Sequence, residues 1–191
     1  MTRNTFLWRL AAAALVLGAP SLSFAQNGGF GAGYGPPLKV VPPPKQFASS
    51  EGRYKVLFPG GVKSETQELK TDLGTLKLTI DSVELDDDVV FCVTFIDYPE
   101  ELTKTDPPKR LDKIRDGSKG ADGKVLSEKD VTVGPEKHPG REVLIQKPDV
   151  VIRNRIVLAG TRMYQVMIEG SKAFVTSPDA DRFFDSFQVT R

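Results

Sequence analysis

Two successive segments of the chain are apolar on both faces, and this constrains the fold more than any other sequence feature. They comprise residues 75–85 and 89–98. Because side chains alternate across a strand, a tight turn that pairs Leu85 with Val89 assigns every residue to a face. One face carries Val83, Phe91, Val93 and Phe95, and the other carries Leu76, Leu78, Ile80, Val90, Cys92 and Ile96. A hairpin of this kind lies inside a sheet that needs a covering layer on each side.

Further strand patterns surround this hairpin. Residues 54–58 alternate and end at a Pro59-Gly60-Gly61 turn, and residues 62–69 are polar, as is typical of an edge strand. Another strand is predicted at residues 125–133. Three more, at residues 141–147, 150–158 and 162–169, are separated by turns at residues 148–149 and 160–161. These three predict an antiparallel meander.

Two segments have helical patterns, so the fold class is α+β. Residues 107–121 begin with two prolines and place Leu111, Ile114 and Ala121 on one stripe. The last helix has Ser177 as its N-cap and Pro178 at its first position. Its apolar residues are Phe183, Phe184 and Phe187. We expect this helix to lie across a sheet face.

The N-terminus predicts export. Arg3 and Arg9 precede and flank a short apolar run at residues 10–19, and the small residues Ser23 and Ala25 predict cleavage after Ala25. Residues 1–25 are therefore a signal peptide, too short in its apolar part to span a bilayer. Residues 26–46 are rich in glycine and proline and predict a tether, and residues 47–191 predict one domain. We expect a soluble periplasmic or extracellular protein without an integral membrane segment after cleavage.

Charge and cysteine content exclude some functions. The chain has 26 basic and 25 acidic residues, and without Arg3 and Arg9 the basic count falls to 24, so nothing favours nucleic acid as a partner. Cys92 is the single cysteine, so the fold depends on burial rather than on disulfides.

Four stretches together resemble a known family. They are RYKVLFPGGVK, PGREV, RMYQVMIEG and SPDADRFFDSF. They are similar to exported, mostly uncharacterised bacterial domains with a PsbP-like fold, and the resemblance covers residues 52–191. It implies an antiparallel sheet covered on both faces by helices. The family's namesake is an extrinsic subunit of photosystem II, but none of its contacts and no catalytic residue set carries over to positions of this chain.

A nucleophile pair of Cys92 and His138 is the sharpest enzyme hypothesis. The surroundings of both residues favour structural roles. Cys92 lies inside the apolar run at residues 89–95, where a small buried side chain is expected. His138 lies in a turn-rich connection at residues 134–140, where a solvated imidazole is expected.

Other chemistry has weaker sequence support. Zinc needs more His and Cys ligands than the chain contains, and the consecutive carboxylates of Asp86, Asp87 and Asp88 cannot all converge on one calcium ion. The glycines at residues 28–35 lie in the tether, outside any strand-to-helix turn that would bind phosphate. The chain also lacks a GxSxG turn. We therefore assign no catalytic, metal-binding or cofactor-binding residue.

Four arginines near the meander leave two hypotheses open. Arg141, Arg153, Arg155 and Arg162 could form an anion-binding face. The turn at residues 148–149 instead sets Glu142 opposite Arg155, which favours a structural ion pair. We expect a non-catalytic binding or accessory module with an unknown protein or small-molecule partner. The alternative is a small enzyme or ligand carrier with a pocket between sheet and helix, and with His138 or the arginines at its mouth.

Overall fold

The computed structural model describes residues 41–71, 74–85 and 88–191. The predicted signal peptide, the glycine-rich part of the tether, and Asp86 and Asp87 lie outside the described residues. The strands are β1 (Lys45–Ser49), β2 (Tyr54–Phe58), β3 (Lys63–Thr71), β4 (Gly74–Leu85), β5 (Val89–Asp97), β6 (Lys124–Val133), β7 (His138–Gln146), β8 (Val151–Ala159), β9 (Arg162–Gly170) and β10 (Gln188–Val189). The helices are α1 (Glu100–Thr103), α2 (Pro107–Lys119), α3 (Lys172–Val175) and α4 (Pro178–Ser186).

The described strands form two antiparallel sheets. The large sheet has seven strands in the order β3-β4-β5-β9-β8-β7-β6, and the small sheet has the order β1-β2-β10. The predicted hairpin is confirmed, because Leu85 pairs with Val89 across β4 and β5. The polar segment predicted as an edge strand is β3, which ends the large sheet on one side. The predicted meander is the antiparallel series β7-β8-β9, so the protein has an α+β fold dominated by antiparallel strands.

The two faces of the large sheet are each buried in a separate apolar cluster. We call first face the one that carries Val83, Phe91, Val93 and Phe95, which pack with aromatic residues of β2, β9 and α4. The second face carries Leu76, Leu78, Ile80, Cys92 and Ile96, which cluster with residues of α2, β8 and β9. The face assignment predicted for these residues from alternation is therefore confirmed.

Helices alone do not cover both faces, which corrects the cover implied by the resemblance. On the first face the small sheet shares the cover with α3 and α4, and Tyr54, Val56 and Phe58 of β2 are almost fully buried there. On the second face, α2 contributes Leu111 and Ile114. The helices are too short to cover a sheet of this width. A helix of nine residues is about 14 Å long, whereas seven strands at about 4.8 Å spacing are about 29 Å wide.

Several boundaries differ from the sequence predictions. Strand β1 begins at Lys45, within the predicted tether, because its backbone pairs with β2 although most of its side chains are exposed. Helix α2 ends at Lys119, and Gly120 follows with φ of +62°. Ala121 lies beyond the helix and is exposed, so it does not extend the buried stripe. The short elements α1, α3 and β10 carry no periodic pattern that would predict them.

The closing helix α4 packs against the first face, as expected from its apolar positions. The Ser177 hydroxyl accepts a hydrogen bond from the Ala180 backbone N–H at 3.3 Å, which confirms the predicted N-cap. The Phe183 ring lies 5.1 Å from that of Phe91 and 5.3 Å from that of Phe58, measured between centroids. Phe183 therefore joins α4 to both sheets.

A buried carboxylate also links the two sheets. The Tyr54 hydroxyl of the small sheet donates a 2.5 Å hydrogen bond to Asp81 of β4. Asp81 is almost fully buried and accepts a second hydrogen bond from the Ser64 hydroxyl of β3. Burial, followed by the hydrogen bond to Asp81, raises the pKa of Tyr54 far above its usual range, so the phenol keeps its proton as the donor. The link fixes the small sheet over the first face.

The contribution of α4 to the core can be measured by equilibrium unfolding. We expect Phe183→Ala to lower the free energy of unfolding by about 3 to 5 kcal/mol, because the phenyl ring fills space between the two sheets. The control Arg182→Ala removes an exposed side chain of the same helix and should change stability by about 0.5 kcal/mol or less. Equal effects of the two substitutions in urea titrations would contradict the packing of α4.

Candidate functional site

The turn between β7 and β8 sets the register of the candidate site. The Lys147 backbone N–H donates to the Val150 carbonyl at 2.8 Å, and the pairing outward from it is regular. Glu142 lies opposite Arg155, and Leu144 lies opposite Arg153. The register predicted from the Pro148-Asp149 turn is confirmed. It places Glu142, Arg153 and Arg155 on the first face of the sheet.

Glu142 is the centre of a group of charges that we call the Glu142 cluster, made up of Lys129, Glu142, Arg153 and Arg155. The Glu142 side chain is 8% exposed. Its Oε1 accepts from Arg153 Nη2 at 3.0 Å and lies 3.1 Å from Lys129 Nζ. Its Oε2 accepts from Arg155 Nε at 2.8 Å. One carboxylate thus holds three cations. The predicted pair of Glu142 with Arg155 is confirmed, and the contacts to Arg153 and Lys129 are additional.

The two arginines also attach α4 to the sheet. Arg155 Nη1 donates to the Phe184 carbonyl at 2.6 Å, near the end of the helix. Arg153 Nη1 donates to Asp181 Oδ1 at 2.7 Å. Both guanidinium groups lie over the Phe184 ring, at 4.4 Å for Arg153 and 5.3 Å for Arg155. The cluster therefore positions α4 through hydrogen bonds, an ion pair and cation–π contacts.

Electrostatics keep Glu142 ionised. Burial by itself favours the protonated form, but the charges and hydrogen bonds of Arg155, together with Arg153 and Lys129, outweigh burial and lower the pKa of Glu142 below its ordinary value. A general base works best with a pKa near the working pH. Glu142 therefore has the properties of an ion-pair partner and not those of a base.

A pocket of about 210 Å³ lies beside the Glu142 cluster. It is formed between strands β6 and β7 and the turn that joins α3 to α4. Its lining includes Ser127, Lys129, Glu142, Leu144, Arg153 and Thr176. Glu128 also lines it, but its carboxylate binds Arg115 at 3.0 Å and Arg141 at 2.8 Å, and those residues belong to the second face. Arg155 is not part of the lining.

The four arginines do not form one anion-binding face, which corrects that hypothesis. Arg141 projects from the second face and binds Asp112, Glu128 and Asp130. Arg162 lies at the far end of β9, where its Nη2 is 2.5 Å from Asp97 and its guanidinium lies 4.9 Å from the Phe95 ring centroid. Side-chain alternation separates Arg141 from Arg153 and Arg155, and only these last two lie close together.

Cys92 and His138 are not brought together. Cys92 is 1% exposed on β5, and burial, with smaller contributions from Asp81 and Glu169, raises the pKa of its thiol. His138 begins β7 and is largely covered, with Nε2 3.2 Å from Glu136, so the expectation of a solvated turn residue is wrong. β9 and β8 separate these strands, a distance of about 14 Å at 4.8 Å per strand. A Cys-His nucleophile pair cannot form.

The described residues provide neither a metal-binding group nor a membrane-spanning helix. Within residues 41–71, 74–85 and 88–191, no group of three or more His, Cys, Asp or Glu side chains is placed to hold a metal ion. Asp86 and Asp87 of the calcium hypothesis lie outside the described residues, as do the glycines at residues 28–35. No helix in the described part of the chain is long and apolar enough to cross a membrane.

A buried polar group on the second face has no counterpart in the sequence analysis. Asn154 Nδ2 donates to Gln165 Oε1 at 2.7 Å and to Ser118 Oγ at 3.1 Å, so α2 is hydrogen-bonded to the sheet beneath it. Among the described residues, Asn154 Oδ1 and Thr94 Oγ1 are buried without a hydrogen-bond partner. The polar residues within the apolar patterns of β8 and β9 are the signal that could have indicated this group. Lys129 and Thr176 of the pocket carry no comparable signal.

Comparisons with known proteins identify the fold. No protein-family model matches the chain, and no curated protein sequence matches it. The solution structure of cyanobacterial PsbP (CyanoP) from Synechocystis sp. PCC 6803 matches with a TM-score of 0.52 and 10% identity, covering 82% of this chain and 98% of that one. The protein therefore has a PsbP-like fold. A protein of unknown function from Pseudomonas aeruginosa, PA94, matches at a TM-score of 0.38 and 7% identity over 72% of this chain and 90% of that one, from which we conclude nothing.

Two alanine substitutions distinguish the structural role of Arg155 from that of Lys129, which is more exposed. We expect Arg155→Ala to lower the free energy of unfolding by about 1 to 3 kcal/mol, because it leaves a buried carboxylate and the Phe184 carbonyl with fewer donors. Lys129→Ala removes a partner whose side chain is 63% exposed and should cost about 1 kcal/mol or less. Chemical denaturation measures both. A smaller loss for Arg155→Ala than for Lys129→Ala would contradict the assignment.

The ion pair between Asp97 and Arg162 makes the stability of the protein depend on pH. A hydrogen bond from Arg162 lowers its pKa below the ordinary value. A carboxylate with a lowered pKa in the folded state stabilises the protein above its unfolded pKa of about 3.9, and this stabilisation is lost as pH falls through the folded pKa. The stability difference between the wild type and Arg162→Gln should therefore be constant at neutral pH and decrease below about pH 4. Urea midpoints across that range measure it, and a constant difference would refute the linkage.

Proposed function

We propose that the protein is an exported, non-catalytic binding or accessory module. The observation that carries this proposal is the pocket beside the Glu142 cluster, whose lining offers charged side chains and includes neither Cys92 nor His138. Lys129 and Arg153 can attract a ligand, while Glu142 has a lowered pKa and already accepts hydrogen bonds from Arg153 and Arg155. Such an arrangement favours binding over proton transfer.

The positions of the nucleophile candidates support the same proposal. Cys92 is buried on the second face, on the opposite side of the sheet from the pocket, and its raised pKa keeps it a thiol. His138 is paired with Glu136 at the start of β7 and does not line the pocket. Export is proposed from residues 1–25, whose charged start, short apolar run and small residues before the cleavage point are typical of a signal peptide. The periplasm or the extracellular space is the proposed location.

A ligand carrier is the second candidate, and one observation favours it. The pocket lies between the sheet and the turn that joins α3 to α4, with Arg153 in its lining, which is the arrangement expected of a carrier. A ligand carrier would bind a small molecule, whereas a binding module would bind a protein. The nature of the molecule bound to the protein after export distinguishes them.

Capture from the exported fraction tests the proposal. The full chain is expressed with a tag in its own cells, crosslinked mildly after export, purified and weighed by native mass spectrometry. We expect one protein partner in a fixed stoichiometry, and its loss in Ser127→Trp, which fills the pocket with an indole. The control Lys113→Met, on the outer side of α2, should retain the partner.

Each of the other outcomes contradicts a part of the proposal. A bound small molecule in place of a protein would establish the carrier. Recovery of a bound molecule together with its converted product would establish an enzyme and overturn the non-catalytic assignment. If Ser127→Trp leaves the complex intact, the pocket does not bind the partner.

A further inference from the structure

We propose that the pocket beside the Glu142 cluster binds a single carboxylate group carried on a small apolar body. The inference rests on the proposed function as a binding module, and it names the ligand class of that site. It follows from the charges that face the pocket, from its size and from the groups that line it.

The charge balance favours a monoanion. Lys129 and Arg153 line the pocket with Glu142, whereas the carboxylate of Glu128 is held by Arg115 and Arg141 on the second face. Among these lining side chains, two cations and one carboxylate remain, and Asp181 supplies a second carboxylate to Arg153 from outside the lining. A ligand with one negative charge can take the place of Asp181 in this balance, whereas a dianion such as phosphate would be repelled more strongly by the nearby Glu142 carboxylate.

Of the two cations that line the pocket, Lys129 is available to a ligand and Arg153 is held in place beside it. The Lys129 side chain is 63% exposed, and its ammonium rests 3.1 Å from Glu142 Oε1, from where its flexible stem can move it toward the cavity. Arg153 is 12% exposed. Its guanidinium donates two hydrogen bonds to Glu142 Oε1, and its Nη1 donates to Asp181 and to the Val175 carbonyl, so the group is already oriented. A fixed guanidinium and an adjustable ammonium are together suited to a carboxylate.

Size and lining determine the rest of the ligand. A volume of about 210 Å³ lies between that of a cavity of about 150 Å³ that holds benzene and the lower limit of about 300 Å³ for drug-sized sites. Leu144 is an apolar lining residue, and Ser127 and Thr176 are polar ones, although the Thr176 hydroxyl donates to the Lys172 carbonyl at 2.9 Å. A short aliphatic chain fits this space, either as a free acid or as the last residue of a peptide with its terminal carboxylate.

Asp181 acts as a competitor within the protein. Its carboxylate lies 2.7 Å from Arg153 Nη1 and its side chain is 55% exposed. A ligand carboxylate that approaches Arg153 is repelled by this neighbour or takes its place. Removal of the Asp181 charge should therefore strengthen ligand binding, while removal of the Lys129 charge should weaken it. This opposite response is specific to an anion site.

The test is a titration followed by amide NMR shifts of the full mature chain. The probes are isovalerate, its neutral isostere isovaleramide, and inorganic phosphate. We expect isovalerate to shift the resonances of Ser127, Lys129, Leu144 and Thr176 in a saturable manner. Isovaleramide has the same shape without the charge and should not shift them, and phosphate should bind more weakly than isovalerate. Absence of saturable shifts with isovalerate, or equal shifts with isovaleramide, would overturn the proposal.

Three variants test which side chains affect the binding of isovalerate. Lys129→Met should weaken isovalerate binding about fivefold, as expected for a partly exposed charge, and Asp181→Asn should tighten it by a similar factor. Lys113→Met, which removes a lysine from the opposite side of the sheet, should leave the affinity unchanged. Both Lys129→Met and Asp181→Asn change exposed side chains and should fold. Equal affinities in all three variants would overturn the assignment of the pocket.

Two further probes distinguish the source of the carboxylate. Acetyl-Gly-Gly-Leu with a free carboxylate represents a polypeptide C-terminus, and its C-terminal amide is the control. Tighter binding of the peptide acid than of isovalerate would identify a peptide ligand, and binding of isovalerate alone would identify a free acid. If a protein partner is captured but no carboxylate binds, the proposed binding module is supported and the carboxylate site is refuted. If a carboxylate binds but no partner is captured, the carboxylate site is supported and the protein is better described as a ligand carrier.

Discussion

Burial of the central strands on both faces is the constraint on which the rest of this structure depends. Strands β5 and β9 lie in the middle of the large sheet, and their cross-strand pairs alternate between the two clusters. Phe91 pairs with Ile168 on the first face, and Cys92 pairs with Met167 on the second. Because both surfaces must be covered, the chain needs a layer on each side. The small sheet, α3 and α4 contribute one, and α2 contributes to the other.

The candidate site is a consequence of how α4 is attached to this sheet. Glu142 and the two arginines that bind it bring a helix end and two strands together, with the Phe184 ring beneath both guanidinium groups. A charge group that is nearly excluded from water must be well paired to be tolerated. Arg155 pairs with Glu142 and binds the end of α4, and it does not line the pocket. Arg153 has the same role but also faces the adjoining pocket, so one side chain serves both the fold and the site.

Most strands could be predicted from the sequence because their signals are local. Alternation places the residues of β4 and β5 on their faces, and a two-residue turn is enough to derive the pairing of Glu142 with Arg155. Strand β1 could not be predicted in this way, because its stability comes from backbone pairing with β2 and its side chains are mostly exposed. His138 was misplaced for a similar reason, since pairing with β6 extends β7 toward a segment with turn-like composition.

The sequence by itself determined the α+β class, the two-sided central hairpin, the meander register and the cap of the final helix, because each depends on residues that are close along the chain. The tertiary structure decided which layer covers each face and which arginines meet. It also brought Lys129, Arg153 and Thr176 around one pocket, although they lie on β6, on β8 and between α3 and α4. These arrangements depend on contacts between segments distant in sequence, and side-chain periodicity carries no information about such contacts.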